Sequence, residues 1–260
     1  MLTKNDKRNY NLDGYIIAKS LYSQQEIDIL FKTATQDKVV KNHTYGRKDS
    51  DGNTTKLALW YSLENNIYSA FARSERMVKS IELLLQGQAC HFHTKLMQKE
   101  PKVGGAWEWH QDYGYWYHDG FLFPYMMSAM VALTPATKEN GCLQVIKGSH
   151  HIGRIEHNMT GDQKGADMVK VKEALLRLTH EYVELEPGDA LFFHGNLLHR
   201  SDKNDSDYPR WSMISTFNRI DNKPYTKQNP SCYTPINMIS DTEILASAPS
   251  GISENSDFNR

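Results

Sequence analysis

From Ala89 onward the chain breaks into short runs rich in β-branched and aromatic residues, separated by Gly, Pro, Asn and Asp. Runs punctuated in this way are expected of an all-β sandwich. They place strands at 89–98, 106–112, 126–134, 142–146, 181–186, 190–194 and 211–219. Residues 169–178 interrupt the series, because Val171, Leu175 and Leu178 fall on one helical stripe; a helix rides there in a long loop. The first part of the chain reads differently. After the short strand Gly14-Tyr15-Ile16-Ile17-Ala18, the spacing of Ser23 and Glu26 is that of a capping box and opens a helix to about Thr35. Asp51-Gly52-Asn53 turns a hairpin into Leu57-Ala58-Leu59-Trp60-Tyr61, and a second helix covers 66–85 and ends at Gly87. The expectation is a helical part over about 1–88, a β core over about 89–219 and an irregular Ser/Asn-rich tail.

The 260 residues allow one large domain with a well-buried core over 1–260. With 30 basic and 31 acidic residues and no Lys/Arg stripe, the charge excludes nucleic acid as a partner. No stretch is apolar for long enough to span a bilayer, and the polar residues 1–8 lack a signal-peptide core, so no membrane partner is expected. Cys90, Cys142 and Cys232 are odd in number and far apart, which suits buried thiols in a reducing, cytoplasmic setting.

The chemistry concentrates in Trp107-Glu108-Trp109-His110-Gln111-Asp112. On a strand, side chains alternate, so His110 and Asp112 project together and Gln111 points to the opposite face. Such a pair can hold two neighbouring corners of a metal and wants a third ligand. His199 is a plausible one, lying just past the apolar run 190–193 that follows Pro187-Gly188-Asp189. Two His and one carboxylate form the facial set that leaves positions on iron open. A His-x-Asp pair also arises by chance, but Arg210 adds context at the head of the apolar run 211–217. A fixed guanidinium matches one carboxylate bidentately while the other end of a dicarboxylate chelates the metal, which suggests 2-oxoglutarate. His194 competes as a ligand; strand parity and the spacing to Arg210 favour His199 and leave His194 structural.

Four pieces together resemble the phytanoyl-CoA dioxygenase family of iron(II)/2-oxoglutarate oxygenases, in particular its small-molecule hydroxylase branch that includes ectoine hydroxylase. They are Trp107-Glu108-Trp109-His110-Gln111-Asp112-Tyr113-Gly114-Tyr115-Trp116, then Glu139-Asn140-Gly141-Cys142-Leu143 with Gly148-Ser149-His150, then Pro187-Gly188-Asp189, and finally His199-Arg200-Ser201 with Arg210. The resemblance extends from about Asp13 to Asn218. It implies a mainly β fold, a double-stranded β-helix (jelly roll, cupin-like) with flanking N-terminal helices. It implies His110, Asp112 and His199 as iron ligands, Arg210 as the salt-bridge partner of the far 2-oxoglutarate carboxylate, Ser201 as its hydrogen-bonding neighbour, and Trp116 lining the same pocket. On the strand around Cys90 to Met97 the family offers Gln and Asn to the cosubstrate; here His93 and Met97 stand in those places, a departure that touches cosubstrate contacts and pocket polarity.

The implied activity uses iron(II), 2-oxoglutarate and O2, with ascorbate as a candidate reductant. It hydroxylates an unactivated C–H of a small polar metabolite that is amino-acid-, betaine- or aminophosphonate-like, and releases succinate and CO2. Because Asp112 is a carboxylate, no position is vacated for a halide, and hydroxylation is expected over halogenation. Two alternatives stay open: the same oxidation ending in desaturation or ring closure, and a β-helix protein that binds metal or ligand without turnover. The protein is expected as a monomer or homodimer. Among the remaining candidates, His150 and His151 could touch substrate or brace their turn. Arg154, His157, Gln163 and Asp167 could meet a charged substrate or line a solvated loop. The aromatics Trp107, Trp109, Tyr113, Tyr115, Trp116 and Tyr117 divide between core and pocket, where several together could hold a quaternary ammonium.

Overall fold

A strand covered on both faces carries an unbroken apolar run instead of an alternation, and Met126–Ala132 is such a strand, buried throughout. In the computed structural model, which describes residues 1–160, 162–226, 233–247 and 250–259, this strand lies inside a large antiparallel sheet. The strands in chain order are β1 (Tyr15–Ala18), β2 (Tyr45–Lys48), β3 (Thr54–Trp60), β4 (Ala89–Lys99), β5 (Trp107–His110), β6 (Met126–Ala132), β7 (Leu143–Ile146), β8 (His157–Thr160), β9 (Gln163–Ala166), β10 (His180–Val183), β11 (Ala190–His194), β12 (His199–Ser201), β13 (Arg210–Arg219) and β14 (Thr234–Pro235). The large sheet runs β1-β11-β6-β13-β4-β3-β2, with β14 beside β4, and a small sheet runs β10-β7-β12-β5. β8 and β9 pair as a separate hairpin. Two antiparallel sheets closing on each other form the jelly roll.

The two faces of the large sheet serve two cores. Leu96, Ala129, Val131, Phe192 and Phe217 pack outward against helical residues such as Ile27, Leu30, Phe71 and Ile81. Their strand neighbours Met97, Met130, Ala132, Leu191 and Phe193 turn inward to meet Leu143, Val145 and Val183 of the small sheet. Burying one such side chain contributes about 1.5–3 kcal/mol, so the helices are held chiefly by the sheet they cover. These are α1 (Lys4–Asp13), α2 (Gln24–Gln36), α3 (Lys38–Asn42), α4 (Ile67–Arg73) and α5 (Glu75–Leu85). The expected capping box is in place: Ser23 Oγ accepts from the Glu26 N–H, and the Glu26 carboxylate accepts from the Ser23 N–H.

Several expectations need correction. α1 went unseen because it is polar, with Tyr10 its buried residue, although Thr3 and Asp6 cap it reciprocally. The single helix over 66–85 is two, broken at Ser74 (φ −57°, ψ 145°), and its left-handed exit residue is Gln86, not Gly87. The strand expected over 106–112 stops at His110, since the Gln111 N–H turns away from the ladder to His157 Nε2 and the Tyr113 N–H to Gly195 O. A hairpin, β8–β9, stands where a loop was expected, while the helical segment beyond it is α7 (Met168–Arg177). The first 88 residues also supply β1, β2 and β3 to the large sheet. The tail docks: α8 (Glu243–Ala246) buries Ile244, Ile252 is buried beyond it, and Phe258 stacks on His43 at 3.9 Å. Cys90 and Cys142 are buried free thiols, and Cys232 lies outside the described residues. No helix among the described residues is long and apolar enough to cross a membrane.

Candidate active site

β5 and β12 are neighbours in the small sheet, and His110 faces His199 across their ladder, with ring centroids 4.0 Å apart. Gln111 is extended (φ −117°, ψ 131°). That one further extended residue returns Asp112 to the side of His110, although Asp112 opens α6 (Asp112–Trp116) and is not on the strand as expected. One ligand atom from each of the three lies within 4.8 Å of the others. Asp112 Oδ1 is 3.7 Å from His110 Nε2 and 3.8 Å from His199 Nε2.

The backbone fixes which nitrogen faces the centre. His110 Nδ1 lies 2.7 Å from Glu108 O, and His199 Nδ1 lies 2.9 Å from Leu197 O. A carbonyl accepts only, so each Nδ1 carries the proton and each Nε2 presents a lone pair. Ser128 Oγ donates to Asp112 Oδ2 at 2.8 Å and orients the carboxylate. Burial alone would push the Asp112 carboxyl up; the neighbouring imidazoles and the Lys95 charge act the other way and hold it below the usual range. Burial, with His110 beside it, pushes His199 down to about 3 and keeps it neutral. Two imidazoles that turn Nε2 to the centre and a carboxylate, all buried, form a donor set that fits ferrous iron with positions left over.

Behind this group a deeper cavity is lined by Lys95, Met97, Trp107, His199, Ser201 and Arg210, among others. Arg210 begins β13 and is 4% exposed. Its Nη1 donates to Gly141 O at 2.6 Å, while its Nε is buried without a partner. No carboxylate pairs with it among the described residues, and burial pushes the guanidinium down to about 10. A buried, unpaired cation is costly. A dicarboxylate reaching from the metal to this guanidinium would remove that cost, so the residues fit 2-oxoglutarate.

In front lies an outer cavity of about 370 Å³ that includes His110 and Asp112 in its wall. His93 and Trp116, expected beside the keto acid, line this outer space together with His110 and Asp112. Trp116 ends α6, and His93 sits two same-face steps along β4 from Met97, which lines the deeper cavity. Between them on that face is Lys95, which borders both cavities and was missed by the sequence reading. Its alternation with His93 and Met97 was the available signal. Also missed were Tyr45 and Arg47 of β2, Tyr61, Asp119, Asp162 and Lys164; they come from separate turns and hairpins that no local pattern joins.

Other candidates have structural duties. His194 Nδ1 accepts from the Asn196 N–H at 2.9 Å, and the His150 ring lies against Asn11 O at 3.1 Å. Arg154 stacks on Tyr117 at 4.3 Å and pairs with Glu156, while Asp167 caps α7. Gln163 lines the outer cavity, and His157 is buried beneath α6. Of the aromatic set, Trp107, Tyr115 and Trp116 border the outer cavity, Trp109 lies in a separate core cluster, and Tyr113 donates its hydroxyl to Phe121 O.

Comparison with known proteins bears on this geometry. The sequence profile of the phytanoyl-CoA dioxygenase (PhyH) family matches residues 10–212. L-proline trans-4-hydroxylase of Streptomyces griseoviridis is 30% identical over 180 residues, which cover 62% of this chain and 66% of that protein. Ectoine dioxygenase of Sphingopyxis alaskensis is 25% identical over 239 residues, covering 85% and 78%. The crystal structure of apo EctD from S. alaskensis superposes with a TM-score of 0.75 at 21% identity, over 92% of this chain and 88% of that one. The chain therefore belongs to the phytanoyl-CoA dioxygenase family and is an iron(II)- and 2-oxoglutarate-dependent dioxygenase.

Proposed function

We propose that the protein hydroxylates an unactivated C–H of a small zwitterionic metabolite of amino-acid or betaine type, with release of succinate and CO2. His110, Asp112 and His199 hold the iron, and Arg210 with Ser201 anchors the far carboxylate of 2-oxoglutarate. Bound iron with its keto acid and O2 supplies the oxidising power. The chain's own part is to orient, to exclude water and to neutralise charge.

The observation that carries this reading is the outer cavity in front of the three ligands. Its wall mixes both signs of charge, Arg47, Lys95 and Lys164 with Asp119 and Asp162, among aromatic faces of Tyr61, Phe92, Trp107, Tyr115 and Trp116. Lys95 is half-buried at the inner end and suits a substrate carboxylate close to the metal. The aromatics and carboxylates suit an ammonium or a quaternary nitrogen. A volume of about 370 Å³ falls within the range of small-molecule sites. The relatives named for proline and ectoine act on small polar molecules of that kind.

The test is a metabolite screen that reads succinate release from the iron-loaded protein, with mass analysis of each hit. Hydroxylation adds one oxygen to the substrate, whereas desaturation or ring closure removes two hydrogens. Succinate release from no zwitterion, but from neutral or long acyl substrates, would overturn the proposed class.

A further inference from the structure

Gln111 lies between two metal-ligand candidates yet points away from the metal, and its side chain is fully buried with every amide group engaged. Nε2 donates to Gly153 O at 2.7 Å and to Asn196 O at 2.8 Å, and Oε1 accepts from the Ile155 N–H at 2.6 Å. The Gln111 backbone N–H donates to His157 Nε2 at 2.9 Å. His157 Nδ1 faces Ile155 O at 2.8 Å, which places its proton there and leaves Nε2 as the acceptor. A further contact presses the same parts together: a Cβ on Gly114 of α6 would stand 2.2 Å from the His157 ring.

We infer that Gln111 is a positioning residue that bolts the His110–Asp112 segment, the turn that delivers His199 and the segment entering the β8–β9 hairpin into one frame around the metal. The inference rests on the reading of His110, Asp112 and His199 as an iron site. Asn196 is the link to the third ligand. It precedes Leu197, whose carbonyl fixes the His199 ring, and its own N–H is held by His194. The two histidines come from strands 89 residues apart in sequence, so a small error in how β5 meets the β11–β12 turn displaces one ligand from the others. A single amide that donates to that turn and accepts from the hairpin segment removes the freedom.

Replacing Gln111 with Leu leaves two carbonyls and one N–H buried without partners. Gln111→Glu keeps the shape, but an ionised carboxylate cannot donate to Gly153 O or Asn196 O. The experiment is anaerobic titration of the full chain with iron(II) in the presence of 2-oxoglutarate, read by the visible charge-transfer band. Melting of the metal-free protein is measured beside it. Asn66→Ala serves as the control, since Asn66 is a buried cap of α4 in the helical layer, bonded to the Ser69 N–H at 2.8 Å, and lines neither the outer nor the deeper cavity.

Iron affinity is expected to fall by about 10- to 100-fold in Q111L and Q111E, while N66A melts lower but titrates as wild type does. If Q111L does not fold, the Q111E titration decides. Wild-type affinity in Q111E overturns the inference, and so does an equal affinity loss in N66A. A wild-type protein that gives no band overturns the iron reading itself, and this inference with it.

Discussion

The inner and outer halves of the cavity are built on opposite plans. The half that groups His110, Asp112 and His199 stands on the paired strands β5 and β12 and the start of α6: each histidine is oriented by a backbone carbonyl, the carboxylate by Ser128, and all three side chains are buried. The mouth is made of hairpins and turns, and its Arg47, Asp162 and Lys164 are exposed. A buried centre under an exposed rim separates the oxidation, which is common to the family, from the choice of substrate, which is not.

The sharpest way to break this contrast is Asp112→Ala. Loss of a partner one step removed from a metal costs about 10- to 100-fold, so loss of the ligand itself is expected to lower iron-dependent succinate formation by more than about 100-fold. Full turnover in D112A would remove Asp112 from the ligand set. Next in size is Arg210→Met, expected to raise the KM for 2-oxoglutarate by about 2 kcal/mol or more, roughly 30-fold. The metal-free variant should melt no lower than wild type, because the cation it loses is buried without a carboxylate partner. An unchanged KM would show that the keto acid is anchored elsewhere.

Acid probes the same contrast through stability. Burial holds His91 and His194 down to about 3 and His157 to about 4. The unfolded chain takes up these protons near the ordinary value of about 6.5, the folded one only far lower. Their contribution is therefore complete above about pH 6.5 and drains away as the pH falls toward 4. The melting temperature of the metal-free protein is expected to drop by several degrees between pH 7 and 5, and a flat profile would contradict neutral burial. The smallest effects belong to the mouth. Arg47→Ala or Lys164→Ala is expected to change the KM for the organic substrate by a few-fold at most, in a salt-dependent way, with the KM for 2-oxoglutarate unmoved. Changes of the inner-site size at either position would erase the distinction between the halves.

Much of the inner half was legible in the chain, because its signals are local. His110 and Asp112 are two residues apart on one extended stretch, and the apolar runs of β4, β6, β11 and β13 mark the strands that form its wall. His199 and Arg210 followed from their places beside such runs. Other features leave no local signal in the chain. α1 has too little apolar surface to announce itself, and a continuous-looking helix is broken by the extended backbone at Ser74. Lys95, between His93 and Met97 on one face of β4, was passed over, since strand parity tells which face a residue takes but not how far along the barrel it lies.

By itself, then, the sequence determined the β-rich architecture and the pairing of His110 with Asp112, which rest on periodicity and on spacing within a few residues, while His199 and Arg210, singled out by their places beside apolar runs and by the family resemblance, meet that pair only through sheet closure. Only the tertiary structure decided which residues share the outer cavity. Lys95 comes from β4, Arg47 from β2, Asp119 from the turn after α6, and Lys164 from β9. Their meeting depends on sheet closure and hairpin packing between segments distant in the chain, a geometry that no local pattern of side chains encodes.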